Sequence, residues 1–121
     1  MQVPLQITLR HVAPSETLDR RIRRDADKLG EFHPNIISCH VVIEEQALRK
    51  QQGRMFNVRL TVHVPDHDLV VNRDHAEDVH VALREAFASM VRRLEDVARR
   101  QRREVKTHED PRQSKLAGST S

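Results

Sequence analysis

The 121-residue sequence contains few aromatic residues, with three phenylalanines and no tryptophan or tyrosine. Platforms that grip single-stranded nucleic acids stack bases on exposed aromatic rings, so this class of binding protein is disfavoured. Glycine occurs three times, and the sequence has no glycine-rich loop of the kind that cradles phosphate groups.

The cysteine content is also low. A single cysteine, Cys39, excludes an intrachain disulfide and gives no cysteine motif for zinc, which is typical of a reducing compartment. No apolar run approaches the ~20 residues that cross a membrane, and the opening residues MQVPLQITLRH lack the regions of a signal peptide. We therefore expect a cytoplasmic protein without a membrane partner.

Charged residues are abundant and mixed in sign, with 21 basic and 18 acidic residues and a formal net charge of +3. Most of the basic charge is arginine, whose planar guanidinium suits bidentate contact with phosphate. A chain of this length is expected to form one domain with a modest core.

Hydrophobic periodicity predicts the order strand, helix, three strands, helix. Apolar and polar residues alternate over four predicted strands, at residues 2–12, 37–44, 56–64 and 68–72. Apolar residues at helical spacing predict one helix between Ser15 and Gly30 and another that ends at about Arg103. Ser15 is the expected N-cap of the first helix, and Asp74 with Glu77 forms a pattern like a capping box before the second.

These elements predict an α+β fold, β-α-β-β-β-α, with a four-stranded mixed sheet and both helices packed on one face. The first crossover is right-handed if its two strands are parallel neighbours. Pro4 cannot donate to a ladder, so the first strand is expected at a sheet edge. Residues 1–104 are the predicted domain, and residues 105–121 are a predicted disordered polar tail.

The segment HVPDHD, residues 63–68, places two histidines and two aspartates within six positions. Such a cluster could ligate a metal or support hydrolysis, but a metal site needs three or four converging ligands, and no helical histidine pair adds to it. Pro65 and Asp66 have the chemistry of a turn. We interpret the segment as a hairpin turn, with an RNA contact or a metal site as alternatives.

Other reactive residue types have structural interpretations. His80 lies at the boundary of the apolar stripe of the second helix, and Cys39 lies at an inward strand position as a small core residue. His40, Arg10 and Arg59 are predicted to share the open sheet face, either as solvated residues or as extra contact surface. No group of residues is organised for catalysis, so we expect no enzyme, cofactor or metal.

The strongest functional signal is a basic stripe on each predicted helix. On the first helix the stripe consists of Arg20, Arg21, Arg24 and Lys28. On the second helix Arg92, Arg99 and Arg103 align, with Arg93 and Arg100 on a flank. Contacts between such residues and phosphate give an affinity that does not depend on the nucleotide sequence. Because structured RNA is read mostly by shape and backbone, a folded RNA is the predicted partner; the alternative is two solvated helix faces.

Five segments, in this order and spacing, resemble one protein family. They are QITLRHV, SETLDRRIRRDADKLGEF, ISCHVVIEE, VHVPDHDLVV and HAEDVHVALREAFASMVRRLE. Over about residues 3–103 the chain resembles the ribosome hibernation-promoting factor and ribosome-associated translation inhibitor family, once labelled sigma-54 modulation proteins. It is similar to the short form, so the C-terminal dimerisation domain of the long form is expected to be absent.

The resemblance implies a βαβββα domain that binds the small ribosomal subunit in the channel between head and body. There it would contact rRNA of the decoding region, overlap the mRNA and tRNA sites and hold ribosomes inactive, as part of a bacterial stress response. The implied partners are the small subunit and the whole ribosome, and the chain is expected to be a monomer. The residues that the resemblance implies as rRNA contacts are Arg20, Arg21, Arg24, Lys28, His40, Arg92, Arg93, Arg99, Arg100 and Arg103.

Three residues depart from the family pattern. Ser89, Glu95 and Asp96 stand where lysines are expected, which leaves a weaker or specialised binder open. The runner-up is a double-stranded-RNA-binding module, but that class grips phosphates with a lysine-rich start to its last helix, and the start here, DHAEDVH, is acidic. Two further alternatives are a hydrolase or metalloprotein built on HVPDHD and a protein-interaction module whose arginines only add solubility.

Overall fold

A computed structural model of the protein describes residues 3–47, 53–76 and 78–109. The elements are β1 (Leu5–Arg10), α1 (Glu16–Leu29), β2 (Ser38–Ala47), β3 (Arg54–Val64), β4 (His67–Ala76) and α2 (Val79–Glu109). The strands form a sheet in the order β1-β2-β3-β4, in which β1 is parallel to β2 and the other pairs are antiparallel. The predicted α+β fold with its mixed sheet is confirmed, as is the edge position of the first strand.

The core lies between one face of the sheet and the two helices. Inward residues of the central strands, such as Val41 and Leu60, are fully buried, as are Leu83, Met90 and Leu94 of α2. Burial of an aliphatic side chain of this size contributes about 1.5–3 kcal/mol. The apolar alternation of the strands and the apolar stripes of the helices therefore meet in one layer, and this leaves the other sides of the helices for charged residues.

Ser15 caps α1 as predicted, because its Oγ accepts a hydrogen bond from the backbone N–H of Leu18 at 3.3 Å. The predicted cap of α2 is wrong. Asp74 lies inside β4, where its Oδ1 accepts from Nδ2 of Asn57 at 2.6 Å. The cap is Asp78, whose Oδ1 accepts from the backbone N–H groups of His80 and Val81.

Several predicted boundaries change. The first strand is shorter than the predicted residues 2–12, because β1 covers Leu5–Arg10. Pairing with β3 carries β4 to Ala76 and β2 to Ala47, so the loop predicted over residues 45–53 is shorter. An ion pair of 3.3 Å between Arg54 and Glu45 joins the two strands there. The helix α2 continues past Arg103 to Glu109; the domain boundary at residue 104 stays a prediction, and residues 110–121 and Glu77 lie outside the described residues.

The segment HVPDHD forms the predicted hairpin turn. β3 ends at Val64 and β4 begins at His67, and Asp66 between them has a φ of 68°, as the position after proline in a type II turn requires. His63 pairs across the strands with Asp68, with 2.6 Å between Nδ1 and Oδ1.

Within the described ranges, no three histidine, cysteine, aspartate or glutamate side chains cluster in a way that could hold a metal ion. Neither α1 nor α2, over the residues described, has both the length and the hydropathy that crossing a membrane requires.

Candidate nucleic-acid interface

The buried face of α1 determines where its basic residues lie. Four residues at helical spacing pack into the core, namely Leu18, Ile22, Ala26 and Leu29. The predicted basic residues lie outside this stripe: Arg20, Arg24 and Lys28 are exposed, and Arg21 is half-buried. The amphipathic pattern of the helix thus leaves a row of cations on its solvent side.

Arg21 joins the two helices. Its Nη1 lies 3.0 Å from Nδ1 of His80 on α2. Because a guanidinium N–H donates and never accepts, Nδ1 of His80 is the acceptor in this contact. His80 therefore orients Arg21 by a contact between the two helices. The sequence predicted only that His80 lies at the boundary of the apolar stripe of α2.

Carboxylates on α1 partly neutralise the basic row. Asp25 lies 3.7 Å from Arg21 and 4.0 Å from Arg24. Arg23, which was not among the predicted contacts, pairs with Asp19 at 2.8 Å. This hydrogen bond and the charge of Asp19 raise the pKa of Arg23. Ion pairs at the surface are weak, so the arginines that form them remain able to exchange a carboxylate for a phosphate.

The predicted basic residues of α2 are all exposed: Arg92, Arg93, Arg99, Arg100 and Arg103. They do not all have the same surroundings. Arg99 forms an ion pair with Asp96, one of the acidic departures from the family pattern. Arg93 turns back to the sheet, where its Nη1 donates to the backbone carbonyl of Val70 on β4 at 2.5 Å.

Ser89, another departure from the family pattern, has a different role from the lysine expected there. Its side chain is buried, and its Oγ accepts from Nη2 of Arg73 at 2.5 Å and from Nη2 of Arg92 at 3.3 Å. Sequence reasoning missed Arg73, because the fourth strand was predicted to end at residue 72. The alternation of Leu69 and Val71, continued by two positions, would have placed Arg73 on the helix side of the sheet.

His40 lies apart from these arginines, on the sheet face opposite the helices. It is half-buried, and its Nε2 is 2.9 Å from Oγ1 of Thr8 on the neighbouring strand. The register also places Arg10 and Arg59 on this face, as predicted. The structure therefore brings Arg92 and Arg93 of α2 close to β4 and Arg21 close to α2, but it does not bring His40 to either group.

Cys39 is fully buried on the inner face of β2, and burial raises the pKa of its thiol to about 12. A thiol that stays protonated is a poor nucleophile. Cys39 is therefore the small core residue that its inward strand position predicted.

Most of the chain matches a known protein-family model. The family model described as Sigma 54 modulation protein / S30EA ribosomal protein matches residues 5–102. A search of curated protein sequences gives no significant match.

Two solved structures have a similar fold. The N-terminal domain of Protein Y from Thermus thermophilus has a TM-score of 0.63 at 12% identity, covering 80% of this chain and 99% of that domain. A ribosomal subunit interface protein from Coxiella burnetii has a TM-score of 0.63 at 14% identity, covering 79% of this chain and 98% of that one. At these identities the likeness supports the fold alone.

The family match is independent of these structural likenesses. It spans the whole sheet, α1 and most of α2, including nearly all of the basic residues described above. Because it covers far more than half of the sequence, the chain belongs to the Sigma 54 modulation protein / S30EA ribosomal protein family.

Proposed function

We propose that the protein binds rRNA of the small ribosomal subunit near the decoding region, overlaps the mRNA and tRNA sites, and keeps ribosomes inactive. The observation that carries this proposal is the family match over residues 5–102, to a family described as ribosomal. The similar fold of a ribosomal subunit interface protein is consistent with it. In this role the protein is a cytoplasmic, non-enzymatic regulator that acts during stress and binds as a monomer.

The charge distribution supplies the physical basis for binding. Exposed arginines and a lysine project from α1 and α2 on the side of the sheet that the helices cover. Neutralising phosphates with such residues releases counterions, so the affinity falls steeply as salt rises. The ion pairs that Asp25 and Asp96 make with arginines compete with phosphate for those arginines, and we expect a more moderate affinity than an uninterrupted basic surface would give.

A general double-stranded-RNA-binding module is the alternative function. Such a module would place phosphate at the start of its last helix. In this chain the start of α2 is capped by the carboxylate of Asp78, which repels phosphate. The geometry therefore disfavours binding in the manner of a double-stranded-RNA-binding module.

Sedimentation with purified small ribosomal subunits tests the proposal. We expect the protein to pellet with the subunits at low salt, to be released as salt rises, and to inhibit cell-free translation. The double variant Arg99→Glu/Arg103→Glu should lose both properties without a change in thermal unfolding.

The matched control is Arg10→Glu/Arg59→Glu, which makes the same change in charge on the opposite sheet face and should still bind. If the unmodified protein stays in the supernatant at low salt, the proposed function is wrong. Equal sedimentation with any RNA duplex would favour the alternative.

A further inference from the structure

A groove of about 390 Å³ runs between β4 and α2, on the side of α2 that carries Arg93. It is lined by Val70, Val71, Asn72, Arg73, Ser89, Arg92, Arg93 and Asp96; we name it the Arg73 groove. Three of its eight lining residues are arginines, and Asn72, Arg92 and Arg93 are exposed, so the groove is open to solvent.

The three guanidinium groups are held in place by neutral oxygens. Arg73 and Arg92 both donate to Oγ of Ser89, whose residue is only 7% exposed. Arg73 also donates to the backbone carbonyl of Asn72 at 2.7 Å, and Arg93 donates to that of Val70. These bonds hold the positive charges of Arg73 and Arg92 at the buried hydroxyl of Ser89, with the positive charge of Arg93 beside them.

Within the described residues, the positive charge in the groove is only partly offset. Asp96, the carboxylate in the lining, pairs with Arg99, and no described carboxylate forms an ion pair with Arg73, Arg92 or Arg93. Like charges held this close repel each other. An anion that enters the groove therefore relieves a repulsion that the free protein maintains.

The donor set indicates the chemistry of that anion. A guanidinium has five N–H donors, and the described bonds use two on Arg73 and one each on Arg92 and Arg93. The remaining donors match the several oxygens of a phosphate, which arginine binds in bidentate fashion. None of the lining residues is aromatic, so the groove offers no stacking surface for a nucleobase.

We propose that the Arg73 groove binds one phosphate group of an RNA backbone, with Arg73 and Arg92 as the paired donors and Arg93 beside them. The inference rests on the proposed function for the identity of the RNA. It adds Arg73, on β4, to an interface whose predicted arginines and lysine all lie on the helices, and it directs the RNA backbone along the β4 edge. Ser89 acts as a positioning residue, because it orients both guanidiniums without the charge of a lysine.

The test measures how tightly the variant Arg73→Gln binds small ribosomal subunits at a series of salt concentrations. The control is Arg59→Gln, which removes a strand arginine from the opposite sheet face. Arg73→Gln should weaken binding about ten-fold, the effect of losing one charge-assisted contact. It should also reduce the slope of log affinity against log salt by roughly 0.7–0.9, the value of one phosphate. Arg59→Gln should change neither quantity.

Two further variants keep the test informative. Arg92→Gln alters an exposed side chain and replaces Arg73→Gln if that variant does not fold. Ser89→Ala keeps every charge, so it should retain the salt slope while weakening binding, which a purely electrostatic surface would not show.

Titration with inorganic phosphate, followed by the amide NMR signal of Ser89, separates free phosphate from RNA. A Ser89 shift that Arg73→Gln abolishes, together with unchanged RNA affinity, would make free phosphate the ligand and overturn the RNA assignment.

If the unmodified protein binds subunits and Arg73→Gln and Arg92→Gln bind equally well, the groove is not a phosphate site, and the proposed function stands. If the unmodified protein binds no subunits at low salt, the proposed function and the RNA assignment both fail.

Discussion

Nη1 of Arg93 lies 2.5 Å from the backbone carbonyl oxygen of Val70, so α2 donates a hydrogen bond to the outer strand of the sheet. Edge strands present unpaired backbone groups, which can recruit another chain. Arg93 covers one such carbonyl on β4. Arg93, which the family resemblance implies as an RNA contact, therefore also protects the edge of the sheet.

Replacing Arg93 by alanine should lower the free energy of unfolding by about 1 kcal/mol, the net value of one hydrogen bond. It should also increase self-association, because the β4 edge becomes open to pairing. Urea unfolding and light scattering measure the two effects. Arg100→Ala, on the same helix and also exposed, is the control and should change neither; equal behaviour of the two variants would contradict the role of Arg93.

Asp78, rather than Asp74, should carry the capping energy of α2. Asp78→Ala leaves two backbone N–H groups of the first turn without their acceptor, and we expect a loss of about 1 kcal/mol in urea unfolding. Asp78→Asn should retain most of the stability, since asparagine caps equally well. Asp74→Ala removes an exposed contact with Asn57 and should cost less; a larger loss for Asp74→Ala than for Asp78→Ala would refute the assignment.

A chain of hydrogen bonds that begins at a buried histidine ties the far part of α2 to the hairpin turn. His33 is 2% exposed, and its Nδ1 accepts from the backbone N–H of Asn35 at 3.0 Å. Nε2 therefore carries the proton and donates to Oε1 of Gln101 at 3.0 Å, while Nε2 of Gln101 donates to the carbonyl of Pro65 at 3.2 Å. The HVPDHD turn is thus anchored to the helix that carries the basic residues.

Gln101→Leu should lower the free energy of unfolding by about 1–3 kcal/mol, because it leaves the buried N–H of His33 without an acceptor. Hydrogen exchange should quicken around the Pro65 turn, since its tie to α2 is lost. Gln6→Leu, an exposed change on the open sheet face, serves as the reference for the glutamine-to-leucine replacement. The chain of bonds has no stabilising role if both variants unfold at the same urea concentration.

The thiol of Cys39 should be inert in the folded protein. Burial raises its pKa from 9.0 to about 12, so the thiolate that attacks a disulfide reagent is scarce at pH 8. We expect modification by such a reagent to require unfolding and to proceed at once in denaturant. Rapid modification of the native protein, without loss of structure, would contradict the burial of this side chain.

The same shift makes stability depend on pH. The folded-state pKa of Cys39 lies above the unfolded value near 9.0, so the unfolded chain ionises first as the pH rises. The contribution to stability is fully present below pH 9 and is lost between pH 9 and about 12, at up to about 1.4 kcal/mol per pH unit. Cys39→Ala should lack this part of the decline in urea unfolding at alkaline pH; an unchanged decline would assign it to other groups.

Local patterns in the sequence were sufficient to predict the order of the strands and helices and the four-stranded sheet. Alternation over β1, β2 and β3 and the apolar stripes of α1 and α2 follow from residues next to one another in the chain. The Ser15 cap and the Pro65–Asp66 turn are equally local. The false cap at Asp74 shows the limit, because pairing between β3 and β4 overrides a local capping pattern.

Which helix faces are charged and which are buried follows from the sequence alone, since a period of 3.6 residues separates the two. Which cations meet depends on how the elements pack. Arg73 and Ser89 lie on different elements, and their contact exists because β4 packs under α2. The same packing ties Arg93 to Val70 and leaves His40 on the opposite face. Periodicity assigns a residue to one side of its own element, whereas the packing of elements determines which residue lies across from it.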